Sequence, residues 1–409
     1  MSHAAPFLSD RQYGWVMVFA SALMMGMAFG LLISVSVFLQ PLEAAFGWER
    51  GVTSFAYSSG SFVTGVMGIG IGRLVDRLSP RPIVLIGALT IGAAHLLLSR
   101  LGSVGELYLI YGLMVGGLGN GCFMIPLVTN ISFWFDRNRG LAMASVMAGQ
   151  SLGGALVPAL ARWLLSTMDW REAYFTLGLV AWAVLVPLAL LVRQPPGLAA
   201  ARAAEQVGVS GRAPLAPLPL TATLSAAIVA CCICMSIPIV HAFPLAMEGG
   251  FSAAQASLVL GVMMASSIVG RIGIGKVADY VGGMRSLLLA SGLQTALIFW
   301  FSQTQGLAAL LTIAALFGIG YGGVIPSYAI IIREMIPARM TGIVMGTVFF
   351  FGNLGMSTGG YLGGALYDLS GGYPISFAAG ALSGVVNLLI VGTLLFRTRV
   401  RQAALPQPA

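Results

Sequence analysis

Apolar stretches of about twenty residues, each closed by a short polar break, follow one another along almost the whole chain. Twelve can be read: 14–39, 53–74, 83–101, 107–133, 140–165, 173–192, 220–243, 253–277, 286–303, 307–332, 341–366 and 375–396. Runs of this length match the roughly 30 Å hydrocarbon core that a spanning helix must cross. A membrane β-barrel would instead show alternating segments of about ten residues, and none is visible. The pattern predicts an all-α membrane protein with twelve transmembrane helices. The first run lacks the small-residue cleavage pattern of a signal peptide and is read as a span.

Composition agrees with the pattern. Of 409 residues, 58% are hydrophobic and only 8% charged, too few charges to cover a soluble protein of this size. A net charge of +8 could suggest a nucleic-acid partner, but its distribution argues against one. With both termini in the cytoplasm, Arg73, Arg77, Arg81, Arg137, Arg139, Lys276 and Arg285 fall on one side, while Arg50, Arg100 and Arg171 fall on the other. That is the positive-inside bias of a multi-pass protein of the cell (inner or plasma) membrane, with N and C termini cytoplasmic. The four cysteines, Cys122, Cys231, Cys232 and Cys234, lie within spans and read as small packing residues. No metal or cofactor is expected, and no nucleophile–base pair or metal motif suggests an enzyme.

The chain divides into two similar sets of six spans. Residues 1–192 form the first, 193–219 a polar, Pro- and Ala-rich cytoplasmic linker, and 220–409 the second with a short tail. "GIGIGRLVD" (Gly68 to Asp76) aligns with "RIGIGKVAD" (Arg271 to Asp279), and "GLGNG" from Gly117 is echoed by "GIGYG" from Gly318. Two pseudo-symmetric six-helix bundles are a transporter architecture, whose substrate site is expected near the midplane. The 54 glycines support close helix packing, as at Gly149/Gly153 and Gly355/Gly359. A single chain is expected to be the functional unit.

Three motifs carry a resemblance. "GRLVDRLSPR" (Gly72 to Arg81) and "GKVADYVGGMR" (Gly275 to Arg285) resemble the loop signature of the major facilitator superfamily. "DRQYGW" (Asp10 to Trp15) and "FDRNRGLAMASVMAGQSLG" (Phe135 to Gly153) are similar to the two motifs of its monocarboxylate transporter branch, which includes bacterial members. The resemblance implies a conformational latch at Asp76, Arg81, Asp279 and Arg285, and a carboxylate-holding arginine at Arg271. It departs where proton-linked animal members carry a lysine and an aspartate; here those positions are Ile33 and Ser267. The coupling groups of that subgroup are therefore missing.

Arg271 stands out on energetic grounds as well. A charge at the bilayer midplane costs ~2.5–3.5 kcal/mol on insertion scales. All thirteen acidic residues fall in loops, tails or at helix ends. A guanidinium presents a planar fork that matches a carboxylate, so a substrate carboxylate is read as its ligand. The structural alternative is an arginine that snorkels or bonds helix carbonyls. Asn120 and Tyr321 occupy equivalent repeat positions flanked by glycines that would let a substrate approach. Tyr57, Tyr328, Asn353 and Ser357 are further hydrogen-bonding candidates, and Phe350 an apolar wall; each also suits plain helix packing. His241, where the first repeat has Phe38, reads as a proton carrier, a gate or a hydrogen-bonded structural histidine.

The expected activity is secondary active transport of small monocarboxylates, lactate- or pyruvate-like, by alternating access with protons. The substrate's own carboxylate could take the proton. An oxalate/formate-type exchanger is the alternative within transport, and a membrane sensor on a transporter fold the alternative outside it.

Overall fold

The computed structural model describes residues 10–48, 50–135, 137–195, 217–304 and 306–403. All regular structure among them is helical. The bilayer explains why: inside hydrocarbon every backbone N–H and C=O must be satisfied within the segment, and a helix does this locally.

One compact unit holds α1 (Asp10–Ile33), α2 (Val35–Phe46), α3 (Arg50–Arg77), α4 (Pro80–Leu98), α5 (Val104–Leu109), a π-helical segment (Ile110–Asn120), α6 (Gly121–Ile131), α7 (Arg139–Thr167) and α8 (Trp170–Leu191). It also includes Ala338–Gly346. The other unit holds α9 (Pro217–Glu248), α10 (Ala253–Val281), α11 (Gly283–Phe301), α12 (Leu307–Met335), α13 (Thr341–Ser370) from Thr347 onward, and α14 (Tyr373–Ala403). Since α1 with α2, and α5 through α6, each make one span, each unit is a six-helix bundle. Eleven of these helices are long and apolar enough to cross a membrane. The remaining one, α3, is 28 residues long and ends in charges at Arg73, Asp76 and Arg77. The greater part of the 193–219 linker lies outside the described residues.

Within each bundle the same spans pair. In the first, α4 packs on α8 and α3 on the π segment; in the second, α11 packs on α14 and α10 on α12. Helix boundaries follow local chemistry. Ser252 caps α10 in a reciprocal capping box with Gln255, Pro80 opens α4, and Gly47, at φ 69°, closes α2 in the left-handed conformation that glycine favours.

The glycines set how closely helices approach. A Cβ on Gly149 would collide with the Ala22 carbonyl, and one on Gly153 with Gly26 backbone atoms. The pairing of α1 with α7 therefore depends on bare backbone, as the small-residue spacing predicts. In the second bundle Gly355 meets Val229 and Gly359 meets Ile233 and Ser236 in the same way, joining α13 to α9.

Candidate functional site

In the second bundle Arg271 and Tyr321 come together. Arg271 lies on α10, half-buried, and Tyr321, 7% exposed, reaches it from α12. The Tyr321 hydroxyl donates to the Met264 thioether at 3.3 Å, which leaves its oxygen to accept from the Arg271 guanidinium. The tyrosine thus orients the arginine through a neutral acceptor, leaving the positive charge in place.

The glycines around Tyr321 have a different use from the one their sequence suggests. A Cβ on Gly318 would strike Met263 and Ser266, one on Gly322 the Ser267 backbone, and one on Gly323 the Ile274 side chain. The space is filled by α10, so these glycines bring the arginine helix and the tyrosine helix into register. The same holds around Asn120 in the first bundle. Gly116 meets the backbone of Gly60, and Gly117 meets Met67 and Val63. Asn120 itself, 8% exposed, ends the π segment. There Thr64 Oγ1 bonds the carbonyls of Gly60 at 2.7 Å and Gly116 at 2.8 Å. Such wide turns recur at functional positions in helices.

The other candidates separate by what their polar atoms already do. Phe350, Asn353 and Ser357 share one face of α13; the last two are exposed on the bundle surface, and Ser357 Oγ donates to the Asn353 carbonyl at 3.1 Å. Tyr328 is fully buried and donates to Asn387 Oδ1 at 2.8 Å. Asn387 in turn donates to Ser291 Oγ at 2.5 Å, locking α12, α14 and α11 together. His241 is buried, with Nε2 2.9 Å from the Gly360 carbonyl and its ring 5.5 Å from that of Tyr373. Ser267 donates to the Met264 carbonyl at 2.6 Å. The Tyr57 side chain lies outside the described residues.

Asp76 has a definite task. Its two carboxylate oxygens accept from the backbone N–H groups of Gly342 at 2.8 Å and Ile343 at 2.9 Å. The carboxylate therefore caps the first turn of α13, where the helix dipole favours negative charge. Gly72, one turn earlier on α3, gives the Gly342 carbonyl room to approach. Arg81 and Arg285 are exposed near the starts of α4 and α11, and Asp279 is half-buried near the end of α10. Removing the cap with Asp76→Ala is expected to cost about 0.5–2 kcal/mol, read as a lower melting temperature in detergent. Asp76→Asn, which keeps one strong acceptor, should lose less. Equal melting of all three proteins would show that the cap carries no stability.

Two features escaped the sequence reading. Glu334 on α12 accepts from Gly283 N–H through both oxygens, at 3.1 and 3.2 Å, capping α11 within the second bundle. Its position in a short polar break gave only a generic signal. In the first bundle, Tyr13, Gly14 and Trp15 pack against Trp134 and Phe135, so the two motifs meet where the second begins. Tyr13 lies 5.6 Å from Trp134, and Trp15 lies 5.0 Å from Phe135. A Cβ on Gly14 would come within 3.0 Å of the Phe135 ring. Tyr13 also donates to the Leu191 carbonyl at 2.6 Å beneath the Arg193 guanidinium, tying the end of α8 to the start of α1.

Comparison with known proteins accords with this architecture. Residues 14–360 match the family model of the Major Facilitator Superfamily. The chain is 28% identical over 406 residues to the uncharacterized MFS-type transporter YcxA of Bacillus subtilis, covering 93% of this chain and 96% of that protein. It is 29% identical over 392 residues to monocarboxylate transporter 13 of Rattus norvegicus, covering 93% and 90%. Among solved structures, the proton:xylose symporter XylE bound to 6-bromo-6-deoxy-D-glucose superposes with a TM-score of 0.71 at 14% identity, covering 94% of this chain and 96% of that one. The E. coli fucose:proton symporter FucP gives 0.67 at 15% identity, covering 94% and 99%. A match over most of its length, on two six-helix bundles, makes this chain a member of the Major Facilitator Superfamily, whose proteins are membrane carriers and not enzymes.

Proposed function

We propose that the protein carries small monocarboxylates, lactate- or pyruvate-like, by alternating access, and moves the anion together with a proton. The observation that carries this reading is the Arg271–Tyr321 pair. A guanidinium inside a membrane-spanning helix, oriented by a tyrosine oxygen, offers two parallel N–H donors to a carboxylate. The likeness to a monocarboxylate transporter supports the substrate class. Phe350, Asn353 and Ser357 would extend this surface within the second bundle, and Asn120 would be a substrate contact of the first, whereas Tyr328 and His241, already bonded to Asn387 and Gly360, would hold helices. Asp76, with Arg81, acts as one conformational latch, and Asp279 with Arg285 as its repeat counterpart. The linker 193–219 and both termini face the cytoplasm, and the chain works as a monomer in the cell membrane.

Coupling follows from the substrate. The thirteen acids of the chain all lie in loops, tails or near helix ends, so the bound carboxylate itself accepts the proton. Protonation neutralises it and releases it from Arg271. The same distribution of acids favours a second reading, obligatory exchange of one anion for another.

The test is uptake of labelled L-lactate into proteoliposomes with an imposed pH gradient, with and without preloaded anion. Accumulation driven by the proton gradient alone is expected. Uptake only against preloaded anion would establish the exchanger. Silence with lactate and a panel of small carboxylates would overturn the substrate class.

A further inference from the structure

A groove of about 390 Å³ runs between the start of α9 and the end of α14. Pro219 and Thr223 form one wall; Leu389, Ile390, Thr393 and Arg397 form the other. Both walls lie toward the ends of apolar helices long enough to cross a membrane, one beginning at Pro217 and the other running to Thr398.

The wall on α14 is graded in polarity along its length. Leu389, 65% exposed, and Ile390 are apolar and lie deeper. Thr393 follows, and Arg397 is exposed at the rim. Seven residues separate Ile390 from Arg397, about 10 Å along a helix at 1.5 Å per residue. The apolar residues therefore sit about two turns below the cation, the order in which an acyl chain and a headgroup phosphate would meet this wall.

Charge selects the kind of lipid. No acidic residue occurs between Glu205 and Glu248 or after Asp368, while Arg397 is followed by Arg399 and Arg401. Neither helix wall therefore offers a carboxylate to neutralise the rim. We propose that this groove is a binding site for an anionic phospholipid, with the headgroup phosphate on Arg397 and an acyl chain along Leu389 and Ile390. Basic rims at the membrane face of a helix pair attract anionic headgroups in this way. The neighbouring segment 196–216 is the competing occupant. It carries Arg202 and Arg212 against the single Glu205, so its charge repels that of the rim.

The experiment uses the full chain in phosphatidylcholine nanodiscs containing a tracer of photoactivatable phosphatidylglycerol or photoactivatable phosphatidylcholine, each with its reactive group on the acyl chain. Labelled peptides are mapped by mass spectrometry. Phosphatidylglycerol is expected to label the peptide containing Leu389 and Ile390 several-fold more than phosphatidylcholine. Arg397→Gln should bring the two analogues level, Arg397→Lys should keep part of the preference, and Arg100→Gln should keep all of it. Equal labelling of the wild-type peptide by both lipids would overturn the proposal, as would a preference unchanged in Arg397→Gln. A groove peptide that neither analogue labels would mean that another occupant, such as 196–216, covers it, and would also overturn the proposal.

Discussion

Arg271→Gln is expected to abolish gradient-driven lactate uptake while leaving a folded protein in the membrane. Glutamine keeps the length and some hydrogen bonding but loses the charge and the fork. Truncating one side of a desolvated charge pair commonly costs about 2–5 kcal/mol, so the loss in kcat/KM should be roughly 30-fold or more. Arg271→Lys should recover only part of the activity, because an ammonium is a point charge that cannot make the two parallel bonds. Tyr321→Phe removes the oxygen that orients the guanidinium, along with its bond to Met264. That variant should raise KM roughly tenfold or more, as expected for a hydrogen bond to a charged group worth about 1.5–3 kcal/mol. Folding provides the control. A charge in a span costs ~2.5–3.5 kcal/mol on insertion scales, so Arg271→Gln should melt no lower than wild type. Wild-type transport by Arg271→Gln would refute the anchor, and loss of transport with a fall in melting temperature would point to structure instead.

The second large effect is expected at Gly153→Val. On α7 this glycine lies against the backbone of Gly26 on α1, and Gly30 on α1 in turn approaches the Gly153 carbonyl. Backbone atoms cannot rotate aside as a side-chain tip can, so any added carbon forces the helices apart along their length. Overpacking of a tight core costs about 1–3 kcal/mol and sometimes more. Here the strain falls on the α1–α7 pairing, a main packing contact of the first bundle. The measurement is melting temperature together with the monodisperse yield in detergent, and both should drop sharply. Gly70→Ala is the matched control, because nothing lies within 4 Å of a Cβ at that position. It should be neutral or slightly stabilising, given the helix propensity gained by leaving glycine. Equal behaviour of the two variants would show that α1 and α7 are not held by bare backbone.

The spans and the doubling were legible in the order of residues alone. Hydrocarbon admits only helices of a set length, so each apolar run with its polar breaks is enough to place one. Two identical grammars, "GIGIGRLVD" and "RIGIGKVAD", disclosed the repeat and singled out Arg271 as the charge that breaks it. Small-residue pairs such as Gly149/Gly153 were legible as contacts because little else lets two backbones meet.

Where polar groups find their partners became visible only in the packed bundles. Asp76 reaches Gly342, 266 residues along the chain. Tyr328 is committed to Asn387 and His241 to Gly360. The glycines beside Tyr321 make room for α10. A membrane helix is apolar all round, so its sequence carries little record of which face meets which neighbour. Those partners depend on helix adjacency and on rotation about each helix axis, and both are settled only when the bundle packs.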